Sequence, residues 1–139
     1  MLHTFAISAS GMTAERLRMD TIANNLANAN TTRTAEGGPY RRQVPVFAVR
    51  ETRVPARRGR FTGAGVRVVG IQHDPSPPRL VYDPSHPDAG PDGYVAMPNV
   101  DVVREMVDLI TASRAYEANV TAFNTAKSMA MRALDIGRA

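Results

Sequence analysis

The 139-residue chain has no cysteine and no tryptophan, a single lysine (Lys127), and no proline before Pro39 or after Pro98. Without cysteine there are no disulfides, no thiol nucleophile and no cysteine-held zinc or iron–sulfur centre. Such a chain also suits an oxidising compartment, where a free thiol is a liability. Aromatic residues make up only 6%, which argues against a large compact core. No run approaches the ~20 apolar residues of a membrane-spanning helix, so direct membrane insertion is not expected. The first twenty residues, MLHTFAISASGMTAERLRMD, lack a basic segment followed by an unbroken apolar stretch. That is not the pattern of a secretory signal, and by these rules alone the address is cytoplasmic.

What the chain does have is organised by its prolines. All ten lie between Pro39 and Pro98, with eight of the ten glycines in the same window if it opens at Gly37. Proline breaks helices and restricts the residue before it. The sequence therefore divides into a head (1–36), a punctuated middle (37–98) and a tail (99–139). The net charge of +4 belongs to the middle: residues 31–97 hold ten arginines against six acids, while head and tail each balance. An arginine-biased segment can signal nucleic acid or another anionic polymer. No basic helix or RNA-binding signature accompanies it, so base composition is the stronger account and no nucleic-acid partner is expected.

The head shows helical order. Phe5, Met12, Met19 and Leu26 recur every seven residues, and a second row carries Ile22 and Ala29 after Ser8 and Glu15. The tail repeats this with Leu109, Tyr116, Phe123 and Ala130, flanked by Met106, Ala112, Val120, Ala126, Ala133 and Leu134. Both are heptad-like seams suited to helix–helix packing. Gly11 breaks propensity within the first helix, which points to close approach of a neighbour or a frayed first turn. Asn99 can cap the tail helix, expected over about 100–136, with Gly137 as its stop. The fold class is mainly α with a little β: two long terminal helices packing as a coiled-coil-like pair in a larger bundle, plus a middle with short strands. Those strands are expected at 43–49 (QVPVFAV, an edge because of Pro45), 65–72 and 79–82. One pairing of the two seams leaves at least two turns of the tail unpartnered, so the helices depend on neighbouring chains.

Candidate chemistry is sparse. YDPSHPD (82–88) brings Asp83, Ser85, His86 and Asp88 together, but a triad needs convergence and an oxyanion hole. Residues this close in a proline-rich loop read as turn formers. His73 with Asp74 and His86 with Asp88 lack the i,i+4 spacing of a helical zinc pair. RRGRFTGAG lacks the Gly-Lys-Ser/Thr ending of a phosphate loop, and Arg57, Arg58 and Arg60 read as a solvated loop. No cofactor and no metal site are expected. The one unusual cluster is ANNLANANT (23–31), with Asn24, Asn25, Asn28 and Asn30 at a helix end. Caps explain Asn30 and Asn28. At about 100° per residue, Asn24 and Asn28 share a face opposite the Leu26 seam. Carboxamides donate and accept without a formal charge, so such a face suits packing against another chain.

Two stretches carry a family resemblance. SGMTAERLRMDTIANNLANANTTRTAEGGPYRRQVPVF (10–47) resembles the N-terminal motif of bacterial flagellar rod and hook proteins, and its TTRT…GGPYRR continuation is similar to the proximal-rod branch. GYVAMPNVDVVREMVDLITASRAYEANVTAFNTAKSMAMRALDIG (93–137) is similar to the C-terminal block of the same family, and YDPSHPDA (82–89) fits it too. The resemblance implies a structural, non-enzymatic subunit of the rod, the drive shaft that crosses the periplasm and surrounds the export channel. It implies export by the flagellar type III apparatus without a cleaved signal. It also implies contacts with further copies, other rod proteins, basal-body rings and export-gate components. On that reading the assembly interface is expected at Phe5, Met12, Met19, Ile22, Asn24, Asn25, Leu26, Asn28, Met106, Leu109, Tyr116, Val120, Phe123 and Leu134. Two other classes compete: an arginine-rich nucleic-acid binder, and a peptidoglycan-cleaving enzyme. The balanced charge of both helices speaks against the first; the short chain, with no convincing acid pair, speaks against the second.

Overall fold

The computed structural model describes residues 2–50 and 63–137; Arg57, Arg58 and Arg60 lie outside them. Helix α1 (Leu2–Ala27) is followed by strands β1 (Gln43–Val49), β2 (Val66–His73), β3 (Arg79–Tyr82) and β4 (Tyr94–Met97), then by helix α2 (Val102–Gly137). The fold class is the expected one. The helices are antiparallel: Phe5 meets the Phe123 ring edge-on at 5.0 Å, and Asn25 reaches Glu105 at the other end. β1 and β2 form one antiparallel pair, with a register shift between Val46 and Phe47, and β3 and β4 form another. In a two-stranded sheet every strand is an edge, so Pro45 is tolerated in β1 as expected.

Three expectations need correction. β4 is a fourth strand beyond the three expected; it lies between turn residues and pairs with β3, Tyr94 opposite Tyr82 with the rings 5.3 Å apart. The α2 cap is Asp101, not Asn99: its Oδ1 accepts from the N–H groups of Val103 (3.0 Å) and Arg104 (3.3 Å). Asn99 instead binds the backbone of Arg42, Asp74 and Ser76. Finally, the large apolar rows are not the centre of the helix contact. The fully buried helical positions are Ser8, Ala14, Thr21, Ile22 and Asn25 on α1, and Glu105, Ala112 and Ala126 on α2. Phe5, Met12, Met19 and Leu26, like Leu109, Tyr116 and Phe123, are only half-buried beside them. The reason is separation: helix axes come together only where the side chains between them are small. Gly11 shows this directly, because a Cβ there would lie 2.6 Å from Asn119 Oδ1. Of the two readings offered for Gly11, close approach is the one observed.

The β1–β2 pair rests on α1 at Gly65, which has φ of +94°. A side chain at this residue would overlap the Ser10 hydroxyl, which accepts from Val66 N–H at 3.1 Å and donates to the Ile7 carbonyl at 2.6 Å. Gly65→Ala should therefore lose about 2 kcal/mol, from left-handed backbone strain and the displaced hydroxyl. Gly70, with open space around its Cα, is the control. Urea denaturation followed by circular dichroism measures both; equal effects at the two glycines would contradict this account.

Candidate assembly interface

The middle segment is held to the helices by polar groups. Asn25, 1% exposed, uses both donors and both acceptor positions of its carboxamide. Its Nδ2 donates to the Gln43 carbonyl and to Glu105 Oε2, each at 2.9 Å, while its Oδ1 accepts from Gln43 N–H and Tyr40 O–H, also at 2.9 Å. Only a carboxamide can pair with a peptide group in both senses; aspartate would set a second charge against Glu105. Asn24 donates to the Tyr40 hydroxyl and to Gln43 Oε1. Asn28 donates to the Asn24 carbonyl at 2.9 Å, closing the helix end as a cap should. Thus Asn24, Asn25 and Asn28 all make contacts within the chain.

Glu105, with no exposure at all, is the centre of a second set. Arg42 Nε donates to its Oε1 at 2.6 Å, and the same guanidinium lies 3.4 Å from Asp108 and 3.6 Å from Asp74. One arginine thereby joins α2 to the residues that follow β2. Burial raises the Tyr40 phenol above its usual range, and the Glu105 charge adds to this against the opposing Asn24 hydrogen bond. The Ser76 hydroxyl and N–H hold Asp74 below the usual carboxylate range. Sequence reasoning missed Arg42 and Glu105 as a pair. The signal was an acid on the packing row Glu105–Ala112–Asn119–Ala126, where a charge needs a buried partner.

The loop at 82–88 is built as turns. Ser85 donates both N–H and hydroxyl to Asp83, lowering that carboxyl's pKa, and His86 Nδ1 accepts from Asp88 N–H at 3.0 Å. The Ser85 hydroxyl is therefore turned to a carboxylate, not to the imidazole. Asp88 binds Arg33 and the Thr32 hydroxyl, which lower its pKa in that order. Because the folded value is below the unfolded one, this tie is intact above about pH 4 and is lost as pH falls through the lowered value. Among the described residues no group of three or more His, Asp or Glu side chains is placed to hold a metal, and no helix is long and apolar enough to cross a membrane.

Of the residues expected at an interface, Ile22 and Asn25 are buried inside the chain. Within the chain both help to set the helix pair, Ile22 by packing and Asn25 through its bonds to Gln43 and Glu105. Met106, Leu134 and Asn24 are exposed, and Phe5, Met12, Met19, Leu26, Asn28, Leu109, Tyr116, Val120 and Phe123 are half-exposed. α2 also runs past α1, so Lys127–Gly137 has only Ala130 partly covered.

A helix pair with small residues inside and large apolar ones left partly open has the surface of a structural subunit rather than of a substrate pocket. The family model for flagella basal body rod proteins matches residues 5–33, and that for the C-terminal part of the flagellar basal body rod proteins FlgE, FlgF and FlgG matches 92–136. The chain is 51% identical to the flagellar basal-body rod protein FlgC of Borreliella burgdorferi, over 94% of this chain and 93% of that one. It is 46% identical to FlgC of Bacillus subtilis (98% and 97% covered) and 43% identical to FlgC of Salmonella typhimurium (99% and 98%). The chain belongs to the FlgC family, and it is a structural subunit of the flagellar basal-body rod.

Proposed function

We propose that this subunit sits in the proximal, periplasmic section of the rod, carries no catalytic activity, and polymerises through its terminal helices around the export channel. It is organised as a core made from 1–36 and 99–139, with 37–98 outside it. It leaves the cytoplasm by the flagellar type III export apparatus without a cleaved signal, and meets other rod proteins, rings and export-gate components. The observation carrying this is the burial pattern: large apolar side chains along both helices stay partly open while alanine, serine and asparagine fill the seam. A helix pair built this way gains most of its apolar burial from further helices. Asn24 and Asn28 form the polar rim of the contact.

The test is complementation of a strain lacking the gene, which should be viable but without filaments. Asn24→Ala with Asn28→Ala removes a cap worth about 1 kcal/mol and the polar rim. The double variant should keep its helical signal in solution yet restore fewer filaments. Swimming equal to the unmodified chain would confine these asparagines to capping.

A further inference from the structure

Three short turns of the middle segment are closed in the same way, by a side chain that accepts the backbone N–H two residues on. Asp74 accepts from Ser76 N–H at 2.9 Å and Asp83 from Ser85 N–H at 3.1 Å, each taking the serine hydroxyl as well. The third acceptor is an imidazole: His86 Nδ1 takes the Asp88 N–H at 3.0 Å. The serines hold both carboxyls below the usual carboxylate range, so those two turns keep their ionised acceptors in mild acid. Histidine is the side chain type that changes charge between about pH 5 and 8.

Accepting an N–H requires an unprotonated Nδ1, so the turn as it stands contains a neutral ring with its hydrogen on Nε2. An imidazolium carries hydrogens on both nitrogens, and no rotation of the ring restores an acceptor. Protonation therefore sets N–H against N–H at the Asp88 amide. The charged groups around the ring are Asp83 and Asp88 of its own turn and Arg33 from the segment after α1. The carboxylates attract an imidazolium and the guanidinium repels it. Both carboxylates are already engaged, Asp83 with Ser85 and Asp88 with Thr32 and Arg33, so neither replaces the imidazole at the Asp88 N–H.

We propose that His86 is a pH-responsive latch in the connection between β3 and β4. Protonation releases the Asp88 amide and lets His86 and Pro87 rearrange, while the Asp88 carboxylate stays anchored on Thr32 and Arg33. The latch belongs to the single chain and does not depend on how copies pack in the rod.

Heteronuclear magnetic resonance of the full chain, labelled with 15N and titrated between pH 8 and 5, tests this. The Asp88 amide resonance should move with the same midpoint as the His86 ring protons. Its exchange protection, corrected for the intrinsic effect of pH, should fall about fivefold. The Ser76 and Ser85 amides should keep their protection. His86→Asn places a carboxamide oxygen within the same reach and has no charge to gain, so its Asp88 amide should hold one position throughout. His86→Ala should already show the weaker protection at pH 8. An Asp88 amide that stays put while the ring titrates overturns the proposal, as does a ring that does not titrate in this range. So do an equal response in His86→Asn, full protection in His86→Ala at pH 8, or an equal loss at Ser76 and Ser85, which would mean general loosening in acid. Should either variant lack the helical circular dichroism of the parent, the parent's own titration decides.

Discussion

Arg42→Met is expected to cost about 3–5 kcal/mol, the usual consequence of removing one partner from a buried ion pair. The substitution keeps most of the volume and removes the charge. Glu105 then keeps Asn25 as its only described side-chain donor, in a site with no solvent exposure. Asp74 loses its cation, whereas Asp108 still has Arg18 at 4.0 Å. The opposite truncation, Glu105→Ala, should fall at the lower end of the range, because Arg42 keeps Asp108 and Asp74. Urea denaturation of Arg42→Met and Glu105→Ala beside the parent measures both losses. A loss below about 1 kcal/mol for Arg42→Met would mean that water and the remaining donors already satisfy Glu105.

Amide exchange along α2 should differ sharply between free chain and rod. From Val102 to Ala126 the helix has α1 against it; from Lys127 to Gly137 almost no described residue lies against it. An eleven-residue helical end without tertiary contacts is marginal in water. In dilute monomer its amides should exchange at close to unprotected rates. Within the assembled rod, packed against neighbouring helices, they should slow by on the order of a hundredfold or more. Mass spectrometry of exchanged peptides reads this directly. Strong protection of 127–137 in a verified monomer would show that the overhang is self-sufficient.

Several features of the fold were legible without coordinates. The exclusion of proline from both ends, and recurrence every seven residues from Phe5 to Leu26 and from Leu109 to Ala130, identify two long helices that pack. β-rich runs between turn residues identify three of the four strands. The asparagine cluster was visible as an anomaly, and Asn28 acts as the expected cap. Asn25 was harder to read. Its partners Gln43 and Glu105 lie 18 and 80 residues away in the chain, and no periodicity connects them.

The sequence by itself determined the class of structure and the family, because helix period, proline placement and the terminal motifs are local properties of the chain. Only the tertiary structure decided which face of each helix is the inside. Periodicity ranks positions by hydrophobicity, and by that measure the methionine, leucine and phenylalanine rows should be central. Close approach of two helices is limited by size, so Gly11, Ala14, Ala112 and Ala126 take the centre and the larger rows are displaced to the flanks. Likewise, the single guanidinium that joins the middle segment to α2 depends on three carboxylates from distant parts of the chain, a convergence that exists only once the helices have paired.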